Sequence, residues 1–233
     1  MKKEEFESIG IELVINLGKY VTSKRNDMQV KTKPDSSFVT DIDLELERRI
    51  KKEFVNYFPN LSFLGEEFGL EKKYGRYTLI IDPIDGTESF IKKGKDYAIN
   101  IALEDSIKNE MLYGIIYDVA EKILYVNERR ISNKPILIRE NVVVQGSPNI
   151  DLKAQFLFQK RGVFIKGSST ALNMARALYD EYEIFMSDSY NIKIWDFAPA
   201  CAINSYLNKK KLTGIDGNTF DYKNPYKSGI LIR

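Results

Sequence analysis

The stretch from Tyr77 to Phe90, YTLIIDPIDGTESF, constrains this chain more than any other. YTLII is a short apolar run rich in β-formers and reads as a buried strand. It ends on two carboxylates, Asp82 and Asp85, set around Pro83. Proline fixes its own φ and suits a tight turn. Such a turn points both carboxylates to one side and can bring the Ile84 carbonyl with them. Gly86 lets another group approach the backbone, and Thr87 is suited to start a helix. A helix start offers N–H groups to a phosphate. An ordinary surface Asp-Pro turn is the competing reading. Close carboxylates raise one another's pKa unless a cation lies between them, so their place after a buried strand favours a metal.

The rest of the composition narrows the chemistry. Histidine is absent from all 233 residues, which excludes a Ser-His-Asp triad, a Cys-His pair, a phosphohistidine intermediate and a His-ligated zinc site. Cys201 is the single cysteine. It allows no intrachain disulfide, fits a reducing compartment, and has no arginine six residues on to form a cysteine-phosphatase loop. Any metal is then held by oxygen, which favours Mg²⁺, Mn²⁺ or Ca²⁺. Lys+Arg 35 against Asp+Glu 33 gives a net charge of +2, no electrostatic case for nucleic acid or an anionic membrane. The start, MKKEEFESIG, is not a signal peptide, and no run approaches the roughly 18 apolar residues of a membrane span. A soluble, cytoplasmic protein is expected.

Periodicity predicts helices over Glu4–Lys24, with Phe6, Ile9, Leu13, Ile15 and Leu17 as its stripe, and over Asp41–Tyr57, with Leu44, Ile50 and Phe54 inward. The polar MQVKTKPDSS between them reads as a loop. Strands are predicted at 61–64, 77–81, 97–103, 110–119 and 122–126, the last two joined by a hairpin turn at Asp118–Glu121. After Lys134-Pro135 the pattern changes, so the halves are placed at 1–135 and 136–233. The second half reads as strand 142–146, short helix Leu152–Lys160, strand GVFIKG, helix Ser168–Tyr182, strand EIFMS, helix Trp195–Leu207 and two closing strands.

Three further acidic segments stand out. LSFLGEEFG is again an apolar strand ending in acids, and Glu66 can reach the same site. In IWDFAPA, Asp196 lies in the first turn of an apolar helix, where a carboxylate suits the dipole. Pro199 is tolerated there because first-turn N–H groups have no intrahelical partner. In FVTDIDLELE, Asp41-Ile42-Asp43 imitates the nucleophile motif of haloacid dehalogenase phosphatases. That motif needs Thr or Val where Glu45 stands, and an apolar strand where this chain has a polar loop.

VTDID, GEEFG, DPIDGT, GSSTALNMA and WDFAPA, in this order, resemble the inositol monophosphatase family from about Lys31 to Gly229. The resemblance implies a layered αβαβα sugar-phosphatase sandwich with the site between an α+β half and an α/β half. It implies two or three Mg²⁺ ions, with Mn²⁺ as an alternative: Glu66, Asp82 and the Ile84 carbonyl on one, and Asp82, Asp85 and Asp196 on a second. Thr87, with Asp43 and Glu66, would prepare the attacking water. Substrate contacts are expected from Asp85, Gly86, Thr87, Ser168, Ser169, Thr170, Ser189 and Asp196. The implied reaction is hydrolysis of a small phosphate ester by a homodimer or tetramer. The expected substrate is inositol 1-phosphate and/or fructose 1,6-bisphosphate. Histidinol phosphate and 3′-phosphoadenosine 5′-phosphate are the alternatives, and a regulatory binding protein on the same fold is the alternative of another class. Ser189 stands where many relatives carry a substrate-binding Glu, and SYLNKKKLTG replaces the usual glycine-rich EAGG stretch. Both departures touch substrate choice or packing rather than the metal ligands.

Overall fold

A computed structural model describes residues 2–73, 75–136, 139–145, 163–187, 192–207, 210–214, 217–220 and 230–232. The predicted helix Leu152–Lys160 and Ser189 lie outside them. Helices are α1 (Lys3–Lys24), α2 (Asp41–Tyr57), α3 (Thr87–Ile91), α4 (Thr170–Leu178) and α5 (Ile194–Leu207). Strands β3 (Ser62–Gly65), β4 (Gly69–Glu71), β5 (Tyr77–Asp85), β6 (Ala98–Asp105), β7 (Glu110–Asp118), β8 (Ile123–Val126) and β9 (Arg129–Ile131) form one sheet in the order β4-β3-β5-β6-β7-β8-β9. Only the β3–β5 pair in it is parallel. Strands β10 (Arg139–Gln145), β11 (Val163–Lys166), β12 (Tyr182–Ser187), β13 (Leu212–Thr213) and β14 (Ile230–Ile232) form a second sheet, ordered β11-β10-β12-β14-β13.

Alternation along the central strands builds the layers. Leu79, Ile81, Ile99, Ile101 and Ile115 face α1 and α2, where they meet Phe6, Val14, Leu17, Ile42, Leu46, Ile50 and Phe54. Ile80, Ala98, Ala102 and Ile116 face the other way, toward Leu172, Met174 and Ala175 of α4 and Phe197, Ala198 and Ile203 of α5. Ile230 and Ile232 of the second sheet close over α4. A strand buried on both faces reads as an unbroken apolar run, which is why YTLII showed no alternation. Among the described residues the order helix, sheet, helix, sheet gives four layers of the αβαβα sandwich expected. At Gly114 an added Cβ would lie 2.2 Å from the Pro199 carbonyl oxygen, so α5 rests its backbone on β7.

Several elements depart from the sequence reading. The segment read as a loop holds a small hairpin, β1 (Val30–Thr32) with β2 (Phe38–Thr40). Its strands are mostly exposed and carry no apolar alternation. The buried stripe of α1 is Phe6, Gly10, Val14, Leu17, Gly18 and Val21, with Ile9, Leu13 and Ile15 only half-buried. At Gly10 and Gly18 the helix lies against Ile115 and Tyr117, a contact that counting bulky residues misses. In α2, Ile42 and Leu46 are buried and Leu44 is half-buried. Helix α4 is shorter than expected. It is capped by the Ser169 side chain and closed by Asp180 at φ 62°, so that β12 can begin at Tyr182. Pro199 falls past the first turn of α5 and leaves the Trp195 carbonyl without its i+4 donor.

Candidate metal centre and active site

The acids of DPIDG do not sit in a turn. Strand β5 continues through Asp85, and its register with β6 shifts between the pairs Asp82–Asn100 and Asp85–Ala98. One extra residue on β5 makes a bulge, and Pro83, which has no N–H to give a ladder, is suited to such a place. The bulge re-aims both carboxylates toward the end of the sheet. Gly86 then turns at φ 88°, where a Cβ would lie 2.5 Å from the Asp96 carbonyl oxygen. Both the left-handed conformation and the close approach require glycine. Helix α3 starts at Thr87, whose hydroxyl donates to the Ile84 carbonyl at 2.9 Å.

Asp82, Asp85 and Asp196 each present an oxygen, and the three lie within 4.8 Å of one another. Asp196 arrives from the first turn of α5, held by the Lys193 N–H at 2.7 Å. Burial, then the charges of Glu66, Asp85, Asp196 and Asp43, push the Asp82 carboxyl well above the usual range. Burial and the Asp85 charge do the same to Asp196. Asp85 is pushed up to about 6 by burial, opposed by bonds from Ser169, Ala171, Asn100 and Thr170. Buried Asp82 Oδ1 has no protein partner. Crowded hard oxygens, with a buried acceptor aimed among them, are the donor set of a divalent cation. These residues fit one.

Glu66 follows β3 and is placed by its N–H on the Ile81 carbonyl, 3.1 Å. Lys33, from the β1–β2 hairpin, donates to Glu66 and Glu67, each at 2.8 Å. Burial opposes its charge, yet these two acids hold the ammonium above the usual lysine range. Asp43 is buried at the start of α2. Its Oδ2 accepts from the Thr40 N–H at 2.8 Å in a capping box, while Oδ1 has no protein partner. Burial pushes this carboxyl up to about 7, against the Thr40 bonds and with the help of Glu67 and Glu66.

One cleft of about 620 Å³ collects Glu66, Asp82, Ile84, Asp85, Gly86, Thr87, Ser168, Thr170 and Asp196, with Phe38, Ser89 and Lys92 at its walls. Ser169 is not among its walls. It is buried, and its hydroxyl donates to Asp85 at 2.7 Å. The N–H groups of Thr170 and Ala171 also go to Asp85, and those of Ser168 and Ser169 go to Asp96. The start of α4 thus holds two carboxylates, and Ser169 stands behind the acidic cluster rather than on the substrate side.

Sequence reasoning missed Glu47. It is fully buried and accepts from the Glu67 N–H at 2.9 Å and the Phe68 N–H at 3.3 Å, so it shapes the loop that presents Glu66. Its signal was its place one turn after Asp43, beside the apolar positions 42, 46 and 50. Asp96 and Arg176 were also missed, and Lys33 lies in the segment expected as a loop.

A bulged strand end and two helix starts converging carboxylates on a cleft define a metal-dependent phosphatase. The sequence model of the Inositol monophosphatase family matches residues 2–225, and the chain belongs to that family. It is 26% identical over 240 residues to an inositol-1-monophosphatase of Bacillus subtilis, covering 94% of this chain and 88% of that one. It is 28% identical over 210 residues to the 3′(2′),5′-bisphosphate nucleotidase CysQ of Buchnera aphidicola, covering 82% and 77%. Its fold superposes on a staphylococcal IMPase-I crystallised with products at a TM-score of 0.82 and 20% identity, covering all of this chain and 91% of that one.

Proposed function

We propose that this protein is a Mg²⁺-dependent phosphomonoesterase for a small phosphorylated polyol or sugar, inositol 1-phosphate and/or fructose 1,6-bisphosphate. The observation that carries it is the triad Asp82, Asp85 and Asp196 at the floor of the cleft. Asp82, Glu66 and the Ile84 carbonyl hold one ion, and Asp82, Asp85 and Asp196 hold another. Mn²⁺ can substitute, and a third ion can touch Glu66. Bound Mg²⁺ lowers the pKa of water and neutralises charge developing on the leaving oxygen. The N–H groups of Gly86 and Thr87 open α3, where no intrahelical acceptor exists for them, and they receive the phosphate. The Thr87 hydroxyl orients water, with Glu66 beside it. Asp43, held near 7 with one free oxygen, takes up the proton. Ser168 and Thr170 contact the alcohol part.

The halves 1–135 and 136–233 close on the cleft, and the protein works as a cytoplasmic homodimer or tetramer. The likeness to the bisphosphate nucleotidase supports a second substrate reading, a 3′-phosphorylated nucleotide. Phosphate release with and without Mg²⁺ from inositol 1-phosphate, fructose 1,6-bisphosphate, histidinol phosphate and 3′-phosphoadenosine 5′-phosphate tests both. Metal-dependent release led by one of the first two is expected. Release led by the nucleotide moves the assignment to the second reading, and no release from any ester overturns the catalytic reading.

A further inference from the structure

We propose that Asp96 and Arg176 are positioning residues for the second cation, fixing Asp85 through the start of α4 without touching cation or substrate. The inference rests on the two-ion reading above.

Asp85 leans on four donors: Ser169 Oγ at 2.7 Å, the Ala171 N–H at 2.8 Å, and the Thr170 N–H and Asn100 Nδ2 at 3.2 Å each. Three of the four belong to the cap and first turn of α4. The carboxylate is therefore only as well placed as that helix end. Asp96 holds the helix end. Its Oδ2 accepts from the N–H groups of Ser168 and Ser169, and both its oxygens accept from Asn173 Nδ2, at 3.2 and 3.0 Å. Asn173 Nδ2 also donates to the Ser169 carbonyl at 2.7 Å.

Arg176 sits three residues beyond Asn173 on the same helix face. Nη1 donates to Asp96 Oδ1 at 2.9 Å and Nη2 to Asp118 Oδ2 at 2.8 Å. Asp118 is fully buried at the end of β7, opposite Ala98 at the start of β6. The guanidinium thus ties the helix to the same end of both strands. Asp96 also reaches the other wall, since its carbonyl oxygen occupies the space beside Gly86 that a Cβ would need. One residue therefore spaces the Asp85–Gly86 corner from the cap of α4. The arrangement acts on Asp85 and has no bond to Glu66, whose place is set by β3, Ile81 and Lys33. Losing Asp96 should loosen the ion that depends on Asp85 and Asp196, and spare the one that depends on Glu66.

The test is titration of the metal-free protein with Mn²⁺ alone, followed by electron paramagnetic resonance of the free ion. Wild type is compared with Asp96→Ala, Asp96→Asn, Arg176→Met and Arg176→Lys, and far-UV circular dichroism checks that each is folded. Removing a group that orients a metal ligand typically costs about 10–100-fold in affinity. That loss is expected in one class of Mn²⁺ sites for Asp96→Ala and Arg176→Met, with the other class unchanged. Arg176→Lys, which keeps the charge, should recover part of the loss. Asp96→Ala combined with Arg176→Met should lose no more than Asp96→Ala alone. If Asp96→Ala does not fold, Asp96→Asn and Arg176→Lys carry the comparison. Equal affinities in folded variants, or equal losses in both classes, overturn the proposal. A wild type that binds a single Mn²⁺ overturns the two-ion reading instead, and this inference with it.

Discussion

Replacing Gly65 by alanine would put a Cβ 1.8 Å from Glu47 Oε1, 2.2 Å from its Cδ and 2.6 Å from its Oε2. All three atoms belong to one side chain, so the overlap is relieved by expelling that carboxylate. Flexible side-chain ends usually move at little cost, but this one is buried and accepts two backbone N–H groups. Hydrogen bonds to a charged acceptor are worth about 1.5–3 kcal/mol each. The longer Phe68 bond contributes less, so Gly65→Ala should cost about 2–4 kcal/mol. Glu47→Ala removes the same two bonds and should cost a similar amount, because Lys51, its ion-pair partner at 3.1 Å, can turn to solvent. With Glu47 already alanine, these three overlaps are gone, and Gly→Ala in a permitted conformation is neutral to stabilising by up to about 1 kcal/mol. The double variant should therefore be no less stable than either single one. Urea unfolding of the four proteins in EDTA measures the cycle. Additive costs within about 0.5 kcal/mol, the rule for independent sites, would refute the idea that Gly65 exists to admit Glu47. Both single variants should also bind Mn²⁺ more weakly, since the loop they release carries Glu66.

Asp82→Asn should abolish Mg²⁺-dependent turnover while raising the metal-free Tm, because it removes a buried acid that four neighbouring carboxylates repel; more than about a tenth of wild-type turnover at saturating Mg²⁺ would count against sharing of Asp82 by two ions. Thr87→Ala should lower kcat by about 10²–10⁴ while inorganic phosphate still binds, as the N–H survives the change; weakened phosphate binding with normal kcat would reverse its roles. Asp43 has its folded pKa raised to about 7 from 3.8, so its contribution to stability is complete below about 4 and is lost as pH rises through 7. The slope between is about 1.4 kcal/mol per pH unit and flattens near the folded pKa, so Asp43→Asn should gain on metal-free wild type by about 2 kcal/mol between pH 5 and pH 7. A difference that does not change with pH would show that Asp43 is ionised throughout.

The residues legible in the sequence are those whose role follows from local position. Asp82 and Glu66 follow apolar strand runs, Asp196 opens an apolar helix, and Gly86-Thr87 join a strand to a helix, so pattern alone points to them. The illegible ones act through partners far along the chain. Glu47 meets amides 20 and 21 residues on, and Asp96 meets Arg176 at a separation of 80. No local period signals either. The bulge was missed for a different reason: Asp-Pro favours a turn in isolation, and only pairing with Asn100 and Ala98 keeps β5 extended to Asp85. The β1–β2 hairpin was missed because its strands are exposed, leaving no buried face to impose alternation.

Burial of an acid does not by itself mark the site, as the two ends of one sheet show. Asp105 ends β6 and is buried, but Arg76 and the N–H groups of Lys108 and Ile107 hold its carboxyl down at about 2. Asp118 ends β7, fully buried, with Glu121 N–H on one oxygen and Arg176 on the other. Glu47 has donors on both oxygens as well. Asp82, in the same sheet, has a buried oxygen with no protein donor, and so has Asp43. An acceptor left without a donor in the interior costs about 1–3 kcal/mol, more when charged. A chain that supplies donors to its other strand-end acids and withholds them here keeps those oxygens for something it does not itself contain. For Asp82 that is a cation, since three further carboxylate neighbours surround it. For Asp43, placed one helix turn from the residue that shapes the Glu66 loop, the proposed mechanism gives that oxygen the proton of the attacking water. The division of labour among these acids is thus read from their hydrogen bonds, oxygen by oxygen, rather than from depth.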